Sequence, residues 1–287
     1  MTPEQYCQEK TATSRSSFYH AFQFLPARER AGITALYAFC REVDDVVDNV
    51  REEEVARAKL DWWRSEVDRL FAGAPQHPVT RALAEVRERV DLQPEYFHEI
   101  LDGMQMDLDH DGYETFSELQ LYCWRAAGVV GLLSAAIFGY DDRGTERYAQ
   151  ELGIAFQLTN IIRDVGEDAQ RGRVYLARED LARHGVGADE LTADTTSPAL
   201  AAVLKEYAER ARGFYRKAYA ALPDGDRYRQ RSGLMMAAIY ERLLDRLERD
   251  GFHVLERRVS LNPLHKLWLA WRTASTEERR HRRALRG

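Results

Sequence analysis

Two stretches of the chain carry carboxylates at helical spacing. Gly153, Gln157, Asn160, Asp164 and Asp168 recur every three or four residues and so share one face of a helix. Ile154, Leu158, Ile161 and Val165 run down one flank, with Leu152, Phe156 and Ile162 on the other. A helix apolar around most of its circumference is a buried one. Its polar stripe must then open onto a polar cavity, because an unpaired buried carboxylate costs several kcal/mol. A cation is the natural partner. In the second stretch, Ile33, Leu36, Cys40, Val43 and Val47 form a packing stripe. Tyr37, Arg41, Asp44 and Asp48 form another, roughly 100° further round the helix. Asp45 falls off that stripe. Two Asp-x-x-x-Asp faces, each with an arginine nearby, describe an all-oxygen site for hard cations with a charged ligand between them. Oxygen-only ligation favours magnesium, held through a few carboxylates, waters and substrate phosphates.

The elements that position these faces are helical throughout. No strand-like alternation, internal repeat or low-complexity segment stands out, so the predicted fold is all-α, one domain over residues 1–287. A hydrophobic share of 45% with 31% charged residues is ordinary for a soluble globular protein. The net charge of -6 gives no reason to expect nucleic acid. No apolar segment follows Met1, and the longest nearly apolar run, Ala126 to Phe138, is short for a bilayer span. Cys7, Cys40 and Cys123 are odd in number and unpaired in pattern, which fits a reduced, cytoplasmic setting.

In chain order, the pattern predicts a short helix from Ser16 or Ser17, where Ser14, Arg15, Ser16 and Ser17 either cap the helix or bind an anion. Helices follow over 28–50, 53–73 (inward face Leu60, Trp63, Val67, Leu70, Phe71) and 79–90. The next opens at Pro94, and others cover 116–138 and 144–168. Gly128, Gly131 and Ala135 share a face. Glycine weakens a helix interior by roughly 1 kcal/mol relative to alanine, so a close neighbour is expected there. Residues 169–175 read as a basic loop beside the carboxylates and 185–198 as a connector, before helices near 199–221 and 226–250. Tyr240 lies on the apolar face of the latter with Met236, Ile239, Leu243 and Leu244. Leu264, Leu267, Trp268 and Trp271 precede six arginines set against two glutamates from Arg272 onward. That basic segment is either a solvated helix or a peripheral contact with the inner face of a membrane.

Two other metal chemistries have nominal motifs. Residues 107–118 match an EF-hand loop at positions 1, 3, 5, 6 and 12, but Glu114 occupies the usual aliphatic position and no sister loop exists. Glu95-x-x-His98 and Glu278-x-x-His281 echo di-iron bundles, the second within an arginine-rich tail. The two aspartate faces fit better with ionisation of an allylic diphosphate: cations neutralise the departing diphosphate, and apolar, aromatic walls shield the carbocation from water.

At these residues the sequence resembles the squalene/phytoene synthase family over nearly its whole length. Tyr37-Ala-Phe-Cys-Arg-Glu-Val-Asp-Asp-Val-Val-Asp48 is similar to the family's first aspartate-rich motif and 157–168 to its second. Ala127-Gly-Val-Val-Gly131 and Arg173-Val-Tyr175 resemble its connecting signatures. The resemblance implies an isoprenoid synthase bundle around a central cavity. It implies that Asp44, Asp48, Asn160, Asp164 and Asp168 serve several magnesium ions, with Tyr37 also catalytic. Tyr37, Arg41, Gln157, Arg163, Arg173 and Tyr240, with Ser14, Ser16 and Ser17, would contact diphosphate or prenyl chain. Ser14 departs from the family, some members having a histidine or basic residue there. Within the family the motifs are most similar to those of bacterial enzymes that make presqualene diphosphate for hopanoids. That implies two farnesyl diphosphates as substrate, no NADPH, and a separate squalene-forming enzyme downstream. Phytoene synthesis from geranylgeranyl diphosphate shares every motif and is the alternative, as is squalene or dehydrosqualene synthesis.

Overall fold

The computed structural model describes residues 1–13, 22, 24–50, 52–109 and 112–286. Among the described residues there is no strand. Helix α1 (Pro3–Thr13), which no sequence pattern announced, packs on α2 (Ala27–Asn49) and α4 (Pro78–Arg87). Its own pattern is too weakly amphipathic to see; Cys7 and Thr11 are the side chains it buries. Helices α3 (Glu53–Phe71) and α5 (Pro94–Leu108) follow the predicted spans, and Leu60, Trp63, Val67 and Leu70 of α3 are buried. The helix expected from Ser16 or Ser17 lies outside the described residues, together with Ser14.

Helix α6 (Phe116–Phe138) is continuous but changes pitch. Trp124–Gly128 forms one π turn between two α segments. Such wide turns recur at functional sites. By length and composition α6 could cross a bilayer, although the shorter apolar run within it suggested otherwise. Here its apolar side chains serve the interior: Leu119, Tyr122, Cys123, Val129 and Leu133 are buried, and Val130, Gly131 and Ser134 line a cavity.

Helix α7 (Gly144–Gln170) lies against α6 at the distance expected from the glycines. A Cβ on Gly131 would stand 2.3 Å from the Ala149 carbonyl oxygen, and one on Gly153 2.3 Å from that of Ala127. Only glycine permits this approach. After α7 come α8 (Arg178–His184), a 3₁₀ turn (Ala188–Thr192), α9 (Pro198–Ala221), α10 (Arg231–Arg249) and α11 (Pro263–Ala284). Helix α10 starts five residues later than its pattern suggested, because Asp226 commits the preceding turn. Its carboxylate accepts from the Asp141 and Asp142 amides and the Thr145 hydroxyl. Prolines at the first turns of α4, α5, α9 and α11 remove amides that a helix start leaves unpaired anyway.

The apolar core forms two clusters. One gathers α1 to α5 with part of α6; the other gathers α6, α7 and the C-terminal helices. Trp124 and Ala126 pack against both. The cavity opens between them.

Candidate active site

The cavity of about 290 Å³ is walled by α2, α5, α6, α7 and α10. Ile33, Leu36, Cys40 and Val43, read as a packing stripe, line it together with Tyr37, Arg41 and Asp44. The two stripes of α2 are thus one wall, and Cys40 is only half-buried. From α7 come Tyr148, Leu152, Gly153, Phe156, Gln157 and Asn160. The far end is closed by Phe138, Tyr148 and Gln230, with Gly233 so near that a Cβ there would lie 2.6 Å from the Tyr148 hydroxyl. Polar groups concentrate at the opposite end. Aromatic rings stand between: Phe156 and Tyr240 with centroids 4.7 Å apart, and Phe22 edge-on to Tyr37 at 6.0 Å.

At the ionic end, Arg41 reaches Asp44 at 2.5 Å and Asp45 at 2.6 Å. Asp45, off the stripe, turns toward α1, where Lys10 bridges it and Glu42 at 2.9 and 3.0 Å. Arg173 donates to Asp48 at 2.6 Å and to the Val47 carbonyl at 3.0 Å, tying the loop after α7 to the end of α2. Arg163 and Asp164 pair side by side, and Arg258 adds contacts of 3.2 Å to Asp164 and to Glu167. Tyr240 and Tyr37 lie in the electrostatic reach of this group. Of the predicted residues, Tyr37, Arg41, Asp44, Gln157 and Asn160 line the cavity, while Asp48, Arg163, Asp164, Asp168, Arg173 and Tyr240 join this group through ion pairs and mutual charge effects outside its lining. Ser16 and Ser17 fall outside the described residues, as does Ser14.

Burial, then the charge of Asp48, pushes Asp44 up to about 6, although Arg41 pulls the other way. Asp44 keeps 37% side-chain exposure and lines the cavity. Burial and Asp164 push Asp168 up to about 7 against the pull of Arg173 and Arg171. Burial works against the charge of Arg163 and Arg173, yet their bonds to Asp164 and Asp48 hold both above the ordinary guanidinium value. Acids held this high lack enough positive charge around them.

A cation would supply it. The buried Oδ1 of Asn160 has no hydrogen-bond partner, while its Nδ2 donates to Gln157 at 3.4 Å. A free amide oxygen beside under-compensated carboxylates fits a hard cation. Among the described residues, no three His, Cys, Asp or Glu side chains converge on one ion position. Magnesium completes its shell with water and phosphate oxygens rather than a closed protein cage, so it needs no such convergence.

Several groups escaped the sequence reading. Asp107, absorbed there into the EF-hand template, belongs to this end of the molecule. Its oxygens accept from the Tyr122 and Tyr175 hydroxyls, each at 3.0 Å. Burial raises it to about 7, with Arg173 opposing and Asp44 reinforcing the shift. Two other template acids are committed elsewhere: Asp109 meets Arg57 at 2.5 Å, and Glu118 accepts from the Glu114 amide at 2.8 Å, while Asp111 lies outside the described residues. The di-iron motifs also disperse, His98 bonding Asp68 and His281 stacking on Tyr228. Arg258 comes from a loop without periodic signal, and Lys266 from off the apolar stripe of the last helix. Lys266 is depressed by burial and by the charges of Arg163 and Arg258.

Residues 11–265 match the squalene/phytoene synthase family. A phytoene synthase of Mycobacterium tuberculosis (strain ATCC 25618 / H37Rv) is 38% identical over 263 residues, covering 91% of this chain and 86% of the relative. One of Arthrospira platensis is 36% identical over 270 residues, covering 88% and 86%. Among solved structures, a dehydrosqualene synthase in complex with a ligand superposes with a TM-score of 0.84 at 29% identity, covering 96% of each chain. The squalene synthase HpnC from Alicyclobacillus acidocaldarius gives 0.78 at 27%, covering 88% of this chain and 95% of that one. Fold, aspartate faces and these similarities agree: the chain belongs to the squalene/phytoene synthase family.

Proposed function

We propose that the cavity joins two farnesyl diphosphates head to head into presqualene diphosphate, with release of one diphosphate. As a member of its family the chain is a prenyltransferase; the substrate and product are our reading. The observation that carries it is the polarity of the cavity. Acids and arginines crowd one end while the remainder is apolar and closed by aromatic side chains. A diphosphate fits the first and a prenyl chain the second.

Asp44, Asp48, Asn160, Asp164 and Asp168 would hold magnesium, which when bound supplies positive charge to the diphosphate as it leaves. Arg41, Arg163, Arg173 and Arg258 orient the diphosphate oxygens. Tyr37, Phe156 and Tyr240 present rings to the allylic cation. The apolar walls exclude the water that would quench it to an alcohol. The C2=C3 bond of the second molecule attacks C1 of the cation, and loss of a proton closes the cyclopropane.

Phytoene synthesis is the second reading, favoured by the phytoene synthases among the relatives this chain resembles. The farnesyl reading draws on the dehydrosqualene and squalene synthase structures and on the motifs. Purified protein incubated with magnesium and either farnesyl or geranylgeranyl diphosphate, with and without NADPH, separates them by mass spectrometry of the lipid extract. The expected product is presqualene diphosphate from farnesyl diphosphate regardless of NADPH. Phytoene as the sole product would replace the farnesyl reading, and no diphosphate release from either would end both.

A further inference from the structure

Helix α11 carries a second apolar face that no other element covers among the described residues. Ala270 and Glu277 point inward, and Arg227 holds Glu277 at 2.9 Å. Leu264, Leu267, Trp268 and Trp271 point outward, 75%, 38%, 47% and 58% exposed. Their spacing of three, four and seven puts them on one face. At 100° per residue the same outward sector continues with Arg272, Glu278, Arg279, Arg282 and Arg286, all exposed, with Glu278 paired to Arg282 at 2.6 Å and the remaining arginines leaving the sector basic. Arg272 already lies over the Trp268 ring, its guanidinium carbon 5.1 Å from the centroid. From Arg272 onward six arginines face two glutamates, in a chain whose net charge is -6. The basic end is thus a local reversal of the molecule's charge.

We propose that this face docks on an anionic phospholipid bilayer, with Leu264, Leu267, Trp268 and Trp271 in the interface and the arginines against the headgroups. The choice of occupant follows from charge. A purely apolar partner would not explain the arginines, nor a nucleic acid the exposed leucines and tryptophans leading the helix. Indole rings suit the headgroup boundary, and arginines add attraction to acidic lipid. The placement also matters. Lys266, in the first turn of α11 but on the side away from the docking face, feels the charges of Arg163 and Arg258, so the start of the helix lies near the ionic end of the cavity. The docking itself does not depend on which prenyl diphosphate the cavity takes.

Flotation of the full chain with phosphatidylglycerol–phosphatidylcholine vesicles tests this. Wild type should float with the acidic vesicles, be released by high salt, and bind pure phosphatidylcholine vesicles weakly. The double variant Trp268→Glu, Trp271→Glu should bind the acidic vesicles at least about tenfold more weakly. Circular dichroism and turnover of detergent-dispersed substrate should remain unchanged in that variant. Charge reversal by Arg279→Glu with Arg282→Glu should weaken binding in the same direction. Undiminished flotation of the tryptophan variant overturns the proposal, as does equal binding to neutral vesicles. Light scattering that shows a dimer split by the tryptophan substitutions would assign the face to a second copy instead.

Discussion

Asn160 and Asp44 show what single side chains contribute to this site. An amide oxygen buried without a partner is a standing cost in water, and a carboxylate pushed up to about 6 is another. On the proposed reading, cation binding would relieve each of them, which would link stability to chemistry. Replacing either Asp44 or Asp164 by asparagine should slow diphosphate release about 10²–10³-fold, the scale on which one transition-state stabilising group acts. The fold should survive, because each change removes a charge from a crowded acidic cluster. Release kinetics together with circular dichroism would check both halves, and full turnover by an Asp44→Ala, Asp164→Ala double variant would sink the assignment. Arg173 acts differently. It joins Asp48 to the loop after α7 and shares its charge with Asp44, Asp107 and Asp168. Arg173→Gln should therefore raise the substrate concentration needed as well as lower the rate, seen as changes in both KM and kcat.

Among the elements, the α6–α7 contact decides where the site sits. Glycine is a poor helix former, yet Gly131 and Gly153 lie mid-helix, each against a carbonyl of the other helix. The π turn at Trp124–Gly128 lies alongside, and Ala126 and Ala127 within it line the cavity. Gly153→Ala should destabilise the protein by about 1–3 kcal/mol, because added volume in a packed interface forces the helices apart. Denaturant unfolding measures this. An unchanged midpoint would mean that the helices separate freely and that the glycines serve the ligand rather than the packing. α1 has a supporting part: Lys10 engages Asp45 and Glu42, and the Tyr6 hydroxyl donates to Glu42 at 2.6 Å, bracing the outer side of α2.

Across the whole molecule, the acidic end couples stability to pH and to metal. Asp44 and Asp168 titrate near 6 and 7 in the fold against an ordinary 3.8. A carboxyl raised on folding favours the folded state while protonated. Its contribution is complete below 3.8 and is lost as pH rises through about 6 to 7. The metal-free protein should therefore lose thermal stability across that window. Magnesium binds the deprotonated form, so it should raise Tm more above the window than below it. Thermal unfolding with chelator or with magnesium at several pH values checks this, and a chelated Tm that stays flat from pH 4 to 8 would contradict it.

Much of the candidate site was legible in the chain itself. Helical periodicity alone placed Gln157, Asn160, Asp164 and Asp168 on one face and Tyr37, Arg41, Asp44 and Asp48 on another, because those contacts are local. The same logic gave most helix spans and the need for a close neighbour at Gly131. It could not give α1, whose sequence carries no apolar stripe, nor the roles of Arg258, in a loop without period, and Lys266, off the apolar stripe of its helix. Asp107 was visible as an acid but assigned to the wrong neighbours, since its partners Tyr122 and Tyr175 lie 15 and 68 residues away in the chain. Which face of α11 is covered was likewise undecided until packing buried Ala270 and left Trp268 and Trp271 outside. Spacing along a helix fixes direction, but only the meeting of distant segments fixes what each side chain finds there.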